Sequence, residues 1–245
     1  MPIGFFTQGV EYTLPHARVS KRIILLICNV IKRAWQLLDE KPPSDFHMQT
    51  ADEDTITQLL VEIIENILRK TGEIAGFNYA LFGRVSRDQK ITNFDKKHPD
   101  KMPDIFFDLR REHLPSISEQ DGLFVECKPV DRNHALLSHY CNKGLARFVN
   151  GDYAWAMQDA LMVGYVKGRY SFRRLAFALD DEKNDATLKP IEHSMVDTYA
   201  IYRSSHRRDF HWPESRGQAC PITITHLWLS IRLPTYPGGE LNGRR

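Results

Sequence analysis

The stretch GLFVECK, residues 122 to 128, decides the fold because it has the composition of a buried β-strand and also carries two charged side chains. Three apolar residues precede Glu126, and Pro129 closes the run after Lys128. Successive side chains of a strand alternate between the two faces of a sheet, so Glu126 and Lys128 share one face. Cys127 points to the opposite face, where we expect a core thiol.

The spacing of an acid two residues before a lysine is weak on its own, because it occurs four more times in the chain. The other pairs are Asp39 with Lys41, Asp88 with Lys90, Asp95 with Lys97, and Asp181 with Lys183. All four lie in polar, turn-like surroundings, whereas Glu126 and Lys128 lie in an apolar run. The strand context therefore selects one candidate from five.

A second carboxylate, Asp104, follows a proline and leads into the apolar run Ile105-Phe106-Phe107. The other Pro-Asp pair, at residues 99 and 100, leads into Lys101 instead. Asp104 precedes Glu126 by 22 residues, which is enough for one strand, a turn and a second strand. We predict an antiparallel pair of strands that brings the two acids together.

These residue types suit the hydrolysis of a phosphodiester bond. Mg²⁺ prefers oxygen ligands and is commonly held by one or two carboxylates together with substrate phosphate. Asp104 and Glu126 would supply the carboxylates, and the ion would polarise the phosphoryl group and acidify a bound water. The Lys128 ammonium would orient that water or stabilise charge that develops on the phosphate.

A further acid is predicted on the helix that spans roughly residues 52 to 70. Its apolar residues form a stripe at helical spacing: Ile56, Leu59, Leu60, Ile63, Ile64, Ile67 and Leu68. Glu53 lies seven residues before Leu60 and therefore belongs to the inward face, whereas Glu62 and Glu65 point outward. Two roles stay open for Glu53: it caps the helix dipole, or it reaches the metal.

The order of a helix glutamate, a Pro-Asp pair before one strand and Glu-x-Lys on the next resembles the PD-(D/E)XK nuclease superfamily, which includes many restriction endonucleases and repair nucleases. The resemblance covers roughly residues 52 to 230. It implies a restriction endonuclease-like α/β core in which helices flank a mixed central β-sheet. It also implies catalytic roles for Glu53, Asp104, Glu126 and Lys128, with the three acids as ligands of Mg²⁺ and with Mn²⁺ as a substitute.

The segment after the Glu-x-Lys strand is predicted to be helical from His134 to Phe148. The pattern breaks at Gly151, resumes as a helix from Tyr153 to Leu161 and continues into a strand at Met162–Val166. In many relatives the helix after the Glu-x-Lys strand contributes a residue near the substrate phosphate. The candidates here are Lys143, Arg147 and Gln158. The alternative is that these residues belong to a solvated helix face.

The C-terminal third contains two runs, residues 199–208 and 222–229, that we expect to pair as antiparallel strands at the end of the sheet. His206 and His226 then approach each other and are candidates for contact with phosphate or a leaving group. The alternative is that both are ordinary histidines with local hydrogen bonds. No Cys or His pair has the close spacing of a structural zinc site.

Nucleic acid is the expected partner, although the net charge of +2 and the pI near 8.3 give no global basic field. Affinity must come from local patches. Basic and aromatic residues are interleaved at residues 167–174 and 203–216, a composition that neutralises phosphates and stacks on bases. The alternative is a pair of solvated faces with Phe172 or Phe210 in the core.

The length of 245 residues and a hydrophobic fraction of 42% suit one catalytic α/β domain with additions. We predict an N-terminal helical extension over residues 1–50, a nuclease core over 51–233 and a loose tail over 234–245. The helix Arg22–Leu38 packs on the core or forms a dimer or partner interface, and its apolar run is too short for a membrane span. Four cysteines without a pairing pattern and no signal peptide favour the cytoplasm.

The leading interpretation is a Mg²⁺-dependent endonuclease that acts on DNA, in bacterial restriction or antiphage defence, as a homodimer or with a partner ATPase or sensor subunit. The defence setting follows from the resemblance alone. The alternative is a catalytically silent protein of nuclease fold that binds nucleic acid or serves as a scaffold subunit. A third interpretation is an RNA-directed nuclease.

Overall fold

The computed structural model of the chain describes residues 12–111, 116–181, 188–197 and 201–231. The predicted tail at 234–245 lies outside these ranges. No helix within them is long and apolar enough to cross a bilayer. All four cysteines are free thiols.

A seven-stranded mixed sheet forms the centre of the fold, in the order β1-β2-β3-β4-β7-β6-β5. The strands are β1 (Phe82–Arg87), β2 (Ile105–Leu109), β3 (Gly122–Val130), β4 (Asp159–Val166), β5 (Glu192–Asp197), β6 (Ile201–His206) and β7 (Ile222–Ser230). The central strands β3, β4 and β7 are parallel, and every other neighbouring pair is antiparallel. The predicted α/β class with a mixed sheet is confirmed, and so is the antiparallel pairing of the two C-terminal runs.

Helices flank this sheet. They are α1 (Lys21–Glu40), α2 (Glu53–Ile63), a π-helix π1 (Ile64–Leu68), α3 (Arg69–Thr71), a second π-helix π2 (Leu136–Leu145), α4 (Ala146–Val149) and α5 (Phe172–Asp180). Helix α2 continues without interruption through π1 into α3, and π2 continues into α4. Helical structure is therefore confirmed at residues 21–40, 53–71 and 136–149.

Helix α1 shares one hydrophobic core with the sheet, which matches the first of the two roles predicted for it. The Trp35 ring stacks on the Tyr165 ring of β4, with centroids 5.6 Å apart. Trp35 Nε1 also donates to the carbonyl oxygen of Ser230 on β7, at 3.4 Å. Burial of such large aromatic surfaces ties the N-terminal helix to the middle of the sheet.

The π-helix π1 changes which side chains of the long helix face the core. A π turn inserts an extra residue, so the positions that follow it rotate out of the α-helical stripe. Ile67, predicted to be inward, is 43% exposed, which makes that prediction wrong. Glu65, predicted to point outward, instead accepts hydrogen bonds from the Val85 backbone N–H at 2.9 Å and from buried Arg69 at 2.7 Å.

The predicted helix from Tyr153 to Leu161 is also wrong. Residues 153–158 form a non-helical segment, and β4 already begins at Asp159. Gly151 and Ala154 have φ angles of 75° and 54°, in the left-handed region that an α-helix does not use. The segment instead runs through the interior, where its carbonyl groups need donors from elsewhere in the chain.

Arg208 supplies those donors, although the sequence placed it in a stretch suited to nucleic acid. Its side chain is buried, and it donates to four backbone carbonyl oxygens at 2.7–3.2 Å: those of Ala154, Trp155, Met157 and Cys220. The guanidinium group thus supplies the hydrogen-bond donors that backbone N–H groups would supply in a helix. Arg208 is therefore a structural residue that a bound phosphate cannot reach.

We predict that Arg208→Leu lowers the free energy of unfolding by about 3 to 5 kcal/mol, because it leaves several buried carbonyl groups without donors. Arg207→Leu is the matched control, since Arg207 is the exposed neighbour on the same segment, and it should change stability by less than about 0.5 kcal/mol. Urea unfolding followed by circular dichroism measures both. Equal effects of the two substitutions would contradict the structural role of Arg208.

Candidate active site

The predicted strand pair brings Asp104 beside the Glu-x-Lys strand. Strands β2 and β3 are antiparallel, and Ile105 is the register partner of Val125. Asp104, the residue before β2, accepts a hydrogen bond from the Cys127 backbone N–H at 2.6 Å. The predicted antiparallel arrangement of the two acids is confirmed.

Lys128 lies at the centre of three carboxylates. Its Nζ is 2.7 Å from Glu53 Oε1, 2.9 Å from Glu126 Oε1 and 3.7 Å from Asp104 Oδ2. The four residues come from the first turn of α2, the position just before β2, and β3. The structure thus brings together all four residues that the sequence assigned to catalysis, and we call them the acid–lysine cluster.

The sequence allows Glu53 to be either a helix cap or part of the site. Asp52 is the N-cap residue of α2, and its side chain accepts from the Thr55 backbone N–H at 2.7 Å. The Glu53 carboxylate turns to Lys128 instead. The capping position is thus taken by the neighbouring aspartate, and Glu53 belongs to the cluster.

Two more side chains contact Glu126. Arg147 of α4 places Nη1 at 3.0 Å from Glu126 Oε1. The Tyr153 hydroxyl donates to Glu126 Oε2. Arg147 was among the predicted candidates, but Tyr153 was missed because the sequence pattern placed it in a helix. An aromatic residue soon after a helix-breaking glycine was the available signal, and it is too common to select this tyrosine.

Gly144 lets π2 approach the cluster closely. A Cβ atom at this position would lie 2.8 Å from Met162 Cε, 3.2 Å from Lys128 Cγ and 3.6 Å from Glu126 Cγ. These distances leave almost no room for a side chain. The contact also shows that Glu126 and Lys128 extend from the face of the sheet that π2 covers.

Burial dominates the electrostatics of the three acids. Burial and the nearby Asp104 raise the pKa of Glu126 to about 7, and Lys128 and Arg147 only partly oppose this rise. Burial also raises the pKa values of Glu53 and Asp104. Burial alone would lower the pKa of Lys128, but the three carboxylates raise it further, so its pKa lies above the ordinary value.

The donor set can be tested for fit to a divalent cation. When all groups are ionised, three carboxylates outnumber the two cations Lys128 and Arg147 by one charge. Glu126 Oε1 is buried and accepts no hydrogen bond of good geometry from the described part of the chain, although Lys128 and Arg147 lie close to it. Oxygen ligands and a residual negative charge fit Mg²⁺. In the described residues, however, no group of three or more Asp, Glu, His or Cys side chains has the geometry of a metal site, since Lys128 Nζ lies between the acids.

The other two helix candidates do not join the cluster. Lys143 is exposed on π2. Gln158 lies just before β4, where its amide donates to the His16 carbonyl oxygen at 2.8 Å. That contact gives Gln158 a structural role next to the N-terminal segment. The structure therefore does not bring Gln158 to the acid–lysine cluster.

His206 and His226 are fully buried, so the prediction that they contact phosphate is wrong, and the alternative of local hydrogen bonds holds. Ser204 Oγ lies 2.7 Å from His206 Nε2 and 2.8 Å from His226 Nε2. On the other side, His226 Nδ1 lies 3.1 Å from the Tyr140 hydroxyl, to which Trp228 Nε1 donates at 3.3 Å. The two histidines thus approach each other through Ser204, as part of a buried network.

Comparisons with known proteins add no relative: no family model, no curated protein and no solved structure matches the chain. The resemblance to the PD-(D/E)XK superfamily therefore depends on the residues themselves and on where the fold places them.

The buried histidines predict a loss of stability in acid. Burial lowers the pKa of His206 to about 4 from an ordinary 6.5, so between these values the unfolded chain binds the proton more readily. The contribution of neutral His206 to the free energy of unfolding is fully present above the ordinary pKa. It is lost as the pH falls towards 4, by on the order of 3 kcal/mol. Urea unfolding of the parent and of His206→Gln over this range should show a shallower acid loss in the variant. Parallel curves would contradict the assignment.

Glu126 predicts the opposite dependence of stability on pH, with a loss as the pH rises. Its folded pKa of about 7 exceeds the ordinary 4.5, so the folded state holds the proton more tightly between these values. The stability that this proton confers is full below the ordinary pKa and is lost as the pH rises through 7, by on the order of 3 kcal/mol. Glu126→Gln should remove this loss. We would compare unfolding free energies of both proteins at about pH 5 and pH 8; a parent-like decline in the variant would refute it.

Proposed function

We propose that the chain is a metal-dependent nuclease with a restriction endonuclease-like core of the PD-(D/E)XK type, which hydrolyses phosphodiester bonds of nucleic acid, most favourably DNA. The observation that carries the proposal is the convergence of Glu53, Asp104, Glu126 and Lys128 from three separate elements. Convergence of a buried acid group around one lysine is costly for a purely structural site, which supports a chemical role.

Asp104 and Glu126, together with Glu53, would hold Mg²⁺ or Mn²⁺. When bound, the ion polarises a phosphoryl oxygen and makes a bound water more acidic. The raised pKa means that Glu126 is partly protonated at neutral pH without a metal, and it is consistent with a carboxylate that becomes fully ionised when a cation binds beside it. Glu126 would give up its proton at neutral pH in order to hold the ion.

The chain's own cations have distinct roles. The pKa of Lys128 lies above its ordinary value, so it remains an ammonium at neutral pH and acts by its charge on the phosphate, not as a general base. Arg147 contacts Glu126 while its side chain stays 41% exposed. It therefore reaches solvent from the cluster and is suited to bind a phosphate of the incoming strand.

The segment after β4 supports nucleic acid as the substrate. The Lys167 backbone N–H donates to the Val130 carbonyl oxygen at 2.9 Å, so this segment lies at the same end of the sheet as Lys128. Arg169, Arg173 and Arg174 are exposed there. Phe177 of α5 is 65% exposed, with the Arg173 guanidinium 5.8 Å from its ring centroid. Exposed arginines next to an exposed ring are suited to phosphates and bases.

A second candidate function is a nucleic-acid-binding or scaffold subunit without catalysis. The observation that favours it is the set of contacts already made by Glu126. Lys128 and Arg147 lie against one oxygen and the Tyr153 hydroxyl donates to the other. Glu126 binds a metal only if some of these partners move.

The test is a cleavage assay with plasmid, linear and single-stranded DNA and with RNA, in Mg²⁺, Mn²⁺ or EDTA. We expect cleavage that requires metal and that falls by at least about 100-fold in Glu126→Ala and in Lys128→Met. The matched controls are Glu62→Ala and Lys97→Met, which change an exposed acid and an exposed lysine outside the cluster. They should retain the parental rate.

Each outcome separates the alternatives. Undiminished cleavage by Glu126→Ala would refute the proposed site. Cleavage of RNA alone would show that the substrate is RNA and not DNA. If no substrate is cut, calorimetry with Mg²⁺ and with a DNA duplex decides. DNA binding without Mg²⁺ binding supports the silent subunit and rejects the enzyme, whereas Mg²⁺ binding lost in Glu126→Ala keeps the metal site and points to a missing activator.

A further inference from the structure

A cavity of about 370 Å³ lies between the start of α1 and strands β5, β6 and β7. Arg18, Lys21 and Arg203 supply positive charge to its walls, and Ser205 and Thr223 supply hydroxyl groups. One acid, the exposed Glu192, also lines it. The volume lies in the range of small-molecule sites, and the lining is polar.

This cavity is separate from the acid–lysine cluster. Thr223 pairs with Asp159, and both lie at the amino ends of parallel strands. Asp159 shares its face of the sheet with Tyr165, which packs on α1, because the two residues are six positions apart in one strand. Glu126 extends from the opposite face, under π2. A ligand in the cavity therefore cannot touch the cluster.

The two arginines are held in place from below by a buried acid. Asp159 is 2% exposed and accepts from the Val19 backbone N–H at 3.1 Å. Arg18 Nη1 lies 3.3 Å from Asp159 Oδ1 and 3.3 Å from Thr223 Oγ1, and Arg203 Nη2 lies 4.0 Å from the same aspartate oxygen. Asp159 and Glu192 together neutralise two charges, so the two arginines and Lys21 keep an excess of one positive charge around the cavity.

A small recess of about 40 Å³ extends from the cavity, since Lys21 and Arg203 line both spaces. Its other walls include Ile24, Ile201 and Thr225. Thr225 is 2% exposed, and its hydroxyl has no hydrogen-bond partner among the residues that the structure describes. Buried Arg203 Nε likewise lacks one. Unpaired buried polar atoms beside a cavity call for a polar ligand atom or a water.

We propose that this cavity binds the terminal phosphate group of a phosphomonoester, carried by a nucleotide or by the 5′ end of a nucleic-acid strand. A phosphomonoester carries close to two negative charges at neutral pH, and the three cations Arg18, Lys21 and Arg203 on the cavity walls attract them. Guanidinium groups fit phosphate oxygens in a bidentate manner, and the hydroxyl groups donate to the remaining oxygens. Glu192 at the wall disfavours a second phosphate close by, so a single group is selected.

Calorimetry in EDTA tests this with inorganic phosphate, AMP, adenosine, and one oligonucleotide with and without a 5′-phosphate. EDTA prevents any metal-dependent cleavage. The variants are Arg18→Gln and Lys21→Gln, both at exposed side chains whose loss should leave the fold intact. Arg22→Gln is the matched control, because Arg22 is an exposed arginine on α1 outside the cavity.

We expect phosphate and AMP to bind, adenosine not to bind, and each of the two variants to weaken AMP binding by at least about tenfold while the control does not. AMP tighter than the phosphorylated oligonucleotide identifies a free nucleotide, and the reverse identifies a strand end. Absence of phosphate and AMP binding, or equal loss in Arg22→Gln, would overturn the proposal. Failure of this binding proposal is distinguishable from failure of the nuclease proposal, because cleavage is measured with variants of Glu126 and Lys128.

Discussion

The ion pair between Glu126 and Lys128 is the interaction on which the rest of the site depends. Glu126 is fully buried in a central strand, where an unpaired carboxylate would be too costly to keep. Lys128 offsets this cost and at the same time separates Glu126 from Asp104 and Glu53. The offset is incomplete, because the pKa of Glu126 still rises to about 7. A core selected only for stability would use an apolar residue here.

The π2 face of the sheet carries two polar networks side by side. Met162 is the register partner of Glu126 on one side and of His226 on the other. Its side chain therefore separates a charged network from a neutral one. The neutral network holds β6 and β7 together and stays uncharged because burial keeps the pKa of both histidines low.

Local rules predicted the parts of the site that lie in regular elements. Alternation along β3 placed Glu126 and Lys128 on one face, and helix phase placed Glu53 inward. Two of the failures involve contacts between distant parts of the chain. Tyr153 and Arg208 take their roles from an irregular buried segment, which periodicity does not describe. The exposed Ile67 results from a π turn, for which the sequence gives no clear signal.

The net charge of the chain does not show how its charged side chains are distributed over the fold. A net charge of +2 would suggest weak attraction to any polyanion. The fold, however, gathers an excess of acid in the cluster, exposed arginines on the segment after β4, and three cations around the cavity next to α1. Salt screens interactions beyond about 10 Å, so a ligand at one of these places responds to that place and not to the sum. Local arrangement, not net charge, therefore determines which surfaces of this protein attract an anion.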